Sequence, residues 1–246
     1  MVAIADFLGQ GLYTPSEVAL YVRENTSLVS RWLMGKSGEP VVARQFAEEG
    51  RFVSFLDFVQ VLAIATIRRQ YKIPLQTIRS AVAEARDFHG VPCPLAMNHT
   101  TFLFQREERS HRSQADDSAE NEDRKYELLI RRPGKDSLIQ LTGSHRRNYV
   151  MKEVVELYLK DLSFDQNGLA IAYTAWKRGG LEIQMNPKRR FGEPITPSGY
   201  TALALADAVK AEGSIDRAAK AYGVSQEEVE LACGYLDHLR VIPRRE

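Results

Sequence analysis

Five histidines, His89, His99, His111, His145 and His238, have side chains of the type that binds metals, and none stands at ligand spacing from another. The two cysteines, Cys93 and Cys233, lie far apart and form no ligand pair. The chain carries no phosphate-binding glycine loop and no nucleophile motif. Adjacent carboxylates such as Glu48-Glu49 sit in charged runs, where solvation is their ordinary state. No residue is therefore assigned a catalytic, metal or cofactor role, and the chain is expected to act by binding.

The side chains suited to binding cluster near the N-terminus. A short helix beginning near Thr26 turns Ser27, Leu28, Ser30 and Arg31 outward, with Val29, Trp32 and Leu33 inward. Arginine can donate two hydrogen bonds to a guanine edge, and serine can meet any base, so this face suits a DNA major groove. Lys36 in the following turn, and Arg44 and Arg51 on either side of a charged tip, are the expected phosphate contacts. Glu48 and Glu49 oppose them there. On pattern alone, the solvated face of a small helical bundle explains the same residues equally well.

The positioning elements have clear local signals. Thr14-Pro15-Ser16-Glu17 is a capping box with proline at the first helical position. A break at Glu24-Asn25 separates this helix from the one at Thr26, the outline of a helix-turn-helix. Val41-Val42-Ala43 and Arg51-Phe52-Val53 are expected to pair as a wing hairpin. Further helices are expected from Ser54-Phe55-Leu56-Asp57 to about Gln70 and from Ile73-Pro74-Leu75. Strands are expected at Thr101–Phe104, Tyr126–Ile130 and Leu138–Leu141, and a helix over Val150–Leu159. A hairpin should join Leu162–Phe164 to Leu169–Tyr173 around Asn167-Gly168. Three C-terminal helices follow, with starts at Thr201, Ser214 and Ser225-Gln226-Glu227-Glu228, the last again a capping box, and stops at Gly213 and Gly223. The final pair exposes Gln226, Glu227, Glu230 and Asp237, which phosphate would repel. Its apolar residues Val229, Leu231, Ala232, Leu236 and Leu239 exceed one face and hint at a partner surface as well as a core.

Two resemblances attach to these residues. Leu12–Ala19, Val29–Leu33, Val53–Asp57 and Ile73–Arg79 together resemble the winged helix-turn-helix of the MerR type over roughly residues 12 to 88. The run Ile183-Gln184-Met185-Asn186-Pro187-Lys188-Arg189-Arg190-Phe191-Gly192-Glu193-Pro194-Ile195, with Gly199-Tyr200-Thr201, Ala211–Ser225 and Glu228–Ala232, is similar to a prokaryotic family of VapB-type antitoxins. That likeness covers about residues 183 to 239. It implies a PIN-like ribonuclease toxin as partner, whose metal-binding carboxylates would meet positive charge. Arg240, Arg244 and Arg245, in the tail beyond the last helix, are the expected toxin contacts.

The fold class expected is α+β, in three segments. Residues 1–95 form the MerR-like DNA-binding domain. Residues 96–180 form a mixed region with a mobile loop at 105–125, a run almost wholly charged or polar. Residues 181–246 form the three-helix antitoxin-type domain and tail. A net charge of +1 excludes a bulk cationic field, so DNA binding must rest on a local surface. No apolar run is long enough to span a bilayer, and the N-terminus lacks the basic region of a secretory signal, so a cytoplasmic protein is expected. The long dimerising helix of the MerR type is replaced by Gly90, Pro92 and Pro94, which leaves homodimerisation to the middle or C-terminal segment. The functions expected are an antitoxin that binds a toxin and its operator DNA, or a stand-alone transcriptional regulator. A structural adaptor would bind no specific DNA.

Overall fold

The computed structural model describes residues 9–35, 40–87, 90–98 and 159–240, and the backbone of strands at 103–106, 126–131, 138–140 and 152–153. The architecture is α+β. Helices α1 (Pro15–Val22), α2 (Thr26–Met34), α3 (Phe55–Tyr71) and α4 (Leu75–Asp87) precede two antiparallel sheets, and α5 (Ala202–Glu212), α6 (Ile215–Tyr222) and α7 (Gln226–Arg240) follow them. The first sheet has the order β3-β2-β1-β4, with β1 at Leu103–Arg106, β2 at Tyr126–Arg131, β3 at Leu138–Gln140 and β4 at Lys152–Glu153. The second has the order β5-β6-β7, with β5 at Leu162–Phe164, β6 at Ala170–Arg178 and β7 at Leu181–Met185.

Capping chemistry sets the N-terminal helices. The Thr14 hydroxyl accepts from Glu17 N–H while the Glu17 carboxylate accepts from Thr14 N–H. Ser54 and Asp57 repeat this box at α3. Arg23, left-handed at φ 57°, ends α1, and Asn25 caps α2 through its side chain. The break at Glu24-Asn25 is thus real. Val29, Trp32 and Leu33 turn inward and are buried, as their spacing predicts.

The expected wing hairpin is absent. Val41 and Val42 donate their N–H groups to the carbonyl of Trp32, and Val53 pairs with Tyr13 across an isolated bridge. Each segment is thus held from the α1–α2 region, by Trp32 and by Tyr13, and no ladder joins 41–43 to 51–53 among the described residues. Over Val150–Leu159, where a helix is expected, Lys152 and Glu153 form β4 against β1. The polar run from 107 to 125 lies outside the described residues. The Asn167-Gly168 hairpin is present, its turn closed by Asp165 Oδ1 accepting from Asn167 N–H and Leu169 N–H.

Packing crosses the boundaries expected at 95 and 181. One core joins Val18, Trp32, Phe58 and Ile64 of the first helices to Leu162, Ala170 and Met185 of the second sheet. Tyr13 stands at the crossing. It lies 5.5 Å from Phe58 and 6.2 Å from Tyr21, ring to ring, and Phe58 lies 5.8 Å from Tyr173. Its hydroxyl donates to the carbonyl of Gly192, 2.8 Å away and 179 residues on, and Leu12 N–H donates to the carbonyl of Phe191 at 3.0 Å.

The segment that receives these bonds is strained. Arg190 (φ 48°), Phe191 (φ 54°) and Gly192 (φ 90°) are left-handed in succession, a conformation costing about 1–2 kcal/mol per non-glycine residue. A Cβ at Gly192 would collide with the Tyr13 hydroxyl and ring. Gly213, also left-handed at φ 78°, faces nothing within 4 Å. Gly213→Ala should therefore cost only the backbone penalty of about 1–2 kcal/mol, and Gly192→Ala that penalty plus about 1–3 kcal/mol of overpacking. Denaturant unfolding of both variants tests this, and equal midpoints would show that Tyr13 moves aside freely.

Candidate functional site

The first surface is α2 with the loop behind it. Ser27 and Arg31 are exposed, Ser30 is half-buried, and Leu28 is half-buried against the core. Part of this face therefore belongs to the fold. The Ser27 hydroxyl is also engaged, donating to Asn25 Oδ1 at 2.6 Å beside the capping bond from Ser27 N–H at 2.9 Å. Arg31 is the fully presented long donor of α2. Behind the helix, the guanidinium of Arg68 on α3 lies 5.8 Å over the Trp32 ring.

Arg44 has a different setting from the one expected. Its Nη1 donates to the carbonyls of Gly50 (2.7 Å), Phe52 (3.0 Å) and Phe46 (3.4 Å), and its Nη2 to that of Ala47 (3.3 Å). The loop closes around one guanidinium, where a hairpin ladder was expected. Arg51 is exposed, and Lys36 lies outside the described residues. Asp57 braces the same loop from inside. Fully buried, it accepts from Ser54 N–H at 3.1 Å and from Gln45 N–H at 3.3 Å. Burial raises its pKa, opposed by the Ser54 and Gln45 hydrogen bonds and by Arg44. Burial, with Asp57 nearby, also pushes the Cys93 thiol up to about 11, so this cysteine is a core residue at neutral pH.

The second surface is the C-terminal unit. Val229, Leu231, Ala232 and Leu239 are buried, and Leu236 packs beside them. The apolar excess of α7 is thus packed in the core, with Leu236 half-buried at its edge. Two clusters absorb it, one with Ile183, Leu205 and Tyr235, the other with Ala208 and Ala218. The expected box at Ser225–Glu228 is only half formed. Glu228 N–H donates to Ser225 Oγ at 3.2 Å, but the Glu228 carboxylate turns away to Ser198, accepting from its N–H at 2.9 Å and its hydroxyl at 2.8 Å. A local capping residue has become a tertiary tie to the loop before α5. Arg240 ends α7, exposed and 3.3 Å from Asp237. Arg244 and Arg245 lie outside the described residues.

Sequence reasoning missed a junction between the two units. Arg23 Nη1 lies 3.0 Å from His238 Nε2, whose ring stacks 4.4 Å from Trp176. Arg69 donates to the carbonyl of Val22 at 3.0 Å and reaches Glu24 at 3.4 Å. Burial, then Arg23 and Arg69, depress the His238 pKa. Partners 215 residues apart leave no local pattern. The loop Lys188-Arg189-Arg190-Phe191 was also passed over as a site. All four residues are exposed, Phe191 at 49%. The available signal was an arginine pair and a phenylalanine set directly before a glycine.

Among the described residues, no group of three or more His, Cys, Asp or Glu side chains is placed to hold a metal, and no helix is long and apolar enough to cross a membrane.

No protein-family model matches the chain. A stretch of 82 residues is 29% identical to the candidate antitoxin VapB45 of Mycobacterium tuberculosis (strain ATCC 25618 / H37Rv), covering 33% of this chain and 34% of that relative. The chain thus matches about a third of that relative's length. The crystal structure of Rv2018 from Mycobacterium tuberculosis is similar in fold, with a TM-score of 0.56 at 17% identity, over 90% of this chain and 96% of that one. Together they give a distant likeness to an antitoxin and a shared α+β fold.

Two outcomes follow from the geometry. Arg44→Ala should lower stability by about 1–2 kcal/mol, and Arg44→Lys should restore little of it, since an ammonium lacks the planar fork that spans these carbonyls. Thermal unfolding checks this, and wild-type stability in Arg44→Ala would show that the clasp contributes nothing. His238, with a folded pKa below its ordinary 6.5, contributes stability that is complete above about pH 6.5 and is lost as pH falls toward the folded value. His238→Gln should flatten that acid loss, as melting points at about pH 7.5 and about pH 5.5 would show.

Proposed function

We propose that this chain is the antitoxin of a type II toxin–antitoxin module, acting in the cytoplasm without catalysis of its own. It inhibits a PIN-like ribonuclease toxin and represses its own operator. The observation that carries this reading is the 29% identity over 82 residues with the candidate antitoxin VapB45. The MerR-like helix-turn-helix is the operator-binding part. Support comes from the two capped helices of α1 and α2 and from the exposure of Arg31 on the second. Arg31 reads a base, and Ser27, Ser30, Lys36 and Arg51 are the further operator contacts of this reading. Arg240, Arg244 and Arg245 contact the toxin, and the full chain is a homodimer, as paired half-sites about 34–36 Å apart require.

A stand-alone regulator without a toxin is the second reading, favoured by the same α1–α2 geometry alone. A PIN-like reading frame beside the gene, and co-purification of its product with this chain, separates the two.

Arg31→Ala should cost about 1–3 kcal/mol at the specific operator and relax specificity at one base pair. A gel shift in which Arg31→Ala binds like the wild type would remove α2 from the interface. Deleting residues 240–246 should release ribonuclease activity from the complex while operator binding by the free protein persists. Full inhibition by the truncated chain would place inhibition elsewhere.

A further inference from the structure

The loop Lys188–Phe191 combines a backbone that the fold holds in place with side chains that the fold leaves outside. Two adjacent non-glycine residues, Arg190 and Phe191, hold left-handed backbone, followed by Gly192. The conformation is maintained from outside the loop, by Leu12 N–H on the Phe191 carbonyl and by the buried Tyr13 hydroxyl on that of Gly192. Yet the side chains so placed pack on little. Lys188, Arg189, Arg190 and Phe191 are all exposed, and among the described residues no carboxylate forms an ion pair with the three cations. Arg189 runs along the turn at Thr196–Tyr200, its Nη2 3.4 Å from where a Cβ on Gly199 would stand. The strained backbone serves the tie to Leu12 and Tyr13, and the same backbone fixes the direction of exposed side chains that the fold does not use, which is the pattern of a recognition loop.

We propose that this loop is a docking surface for a carboxylate-bearing face of a partner protein, with Arg189 and Arg190 pairing with carboxylates and Phe191 seated in an apolar recess between them. The proposal rests on the antitoxin reading, which supplies the partner, and places a toxin contact well apart in sequence from the tail. The mixed charge of the patch favours a protein over a nucleic acid. Glu193 is exposed two residues after Phe191. A phosphate chain would meet this carboxylate as well as the arginines, whereas a protein face can match alternating sign. Arginine beside an exposed aromatic is also the pairing that protein interfaces enrich, and guanidinium meets carboxylate through two hydrogen bonds.

The test is calorimetric titration of the full chain with the PIN-like ribonuclease that the antitoxin reading expects beside its gene. The variants are Arg189→Glu with Arg190→Glu, and separately Phe191→Gly. Glycine suits φ 54°, so Phe191→Gly removes the phenyl group while easing the backbone. Circular dichroism and thermal melting confirm that each variant is folded, and an operator gel shift is read alongside the titration. The charge reversal should weaken toxin binding at least about tenfold, and Phe191→Gly by about fivefold or more, with operator affinity unchanged. Wild-type toxin affinity in both variants would overturn the proposal and leave the antitoxin reading intact. Loss of operator affinity with toxin affinity preserved would overturn it in favour of a nucleic-acid contact. If the wild-type chain binds no ribonuclease, the antitoxin reading falls and this proposal with it.

Discussion

The hydrogen bond from the Tyr13 hydroxyl to the Gly192 carbonyl is the constraint on which the rest of the molecule depends. Tyr13 directly precedes the N-cap of α1, pairs through its backbone with Val53 at the threshold of α3, and packs its ring on Tyr21 and Phe58. One residue thus ties together the start of the first helix, the approach to the third and the path of the segment after β7. A buried carbonyl deprived of its donor costs about 1–3 kcal/mol, so the left-handed turn at 190–192 and the start of α1 hold each other in place.

Charged groups are spent in the same way elsewhere, on loops. Arg44 gathers carbonyls from Phe46 to Phe52, Asp57 ties Gln45 to the start of α3, and Glu228 ties the loop at Ser198 to α7. In each case an ionisable side chain satisfies backbone groups that no helix or ladder serves, which lets segments without regular structure lie close to a core. The surface left for recognition is correspondingly smaller than a count of basic residues suggests.

This explains what was legible in the sequence. Capping boxes at Thr14 and Ser54, the Asn167-Gly168 turn, and the stops at Gly213 and Gly223 are local, because donor and acceptor lie within a few residues. The inward set Val29, Trp32 and Leu33 follows from helical period. The wing did not form because alternation of apolar residues cannot reveal that Trp32 and Tyr13 would take the backbone partners first. Nor can spacing reveal that Glu228 would leave its capping box for Ser198, or that His238 would meet Arg23. Of the candidate DNA face, exposure of Arg31 was readable, while the inward lean of Leu28 and the Ser27–Asn25 bond depended on tertiary and capping detail.

The tyrosine cluster has an optical consequence. Burial raises the phenol pKa values of Tyr13, Tyr21 and Tyr235, and takes that of Tyr173 to about 12. An unfolded chain releases these protons near pH 10, so alkali favours the open form, and stability present below about pH 10 is lost as pH rises beyond it. Phenolate absorbs in the ultraviolet at longer wavelength than phenol does. In mildly alkaline solution, just above pH 10, these four rings, Tyr13 beside α1, Tyr21 on it, Tyr173 on β6 and Tyr235 on α7, therefore act as a built-in dye that stays transparent in that band while the two halves of the molecule remain closed on each other, and absorbs as they part.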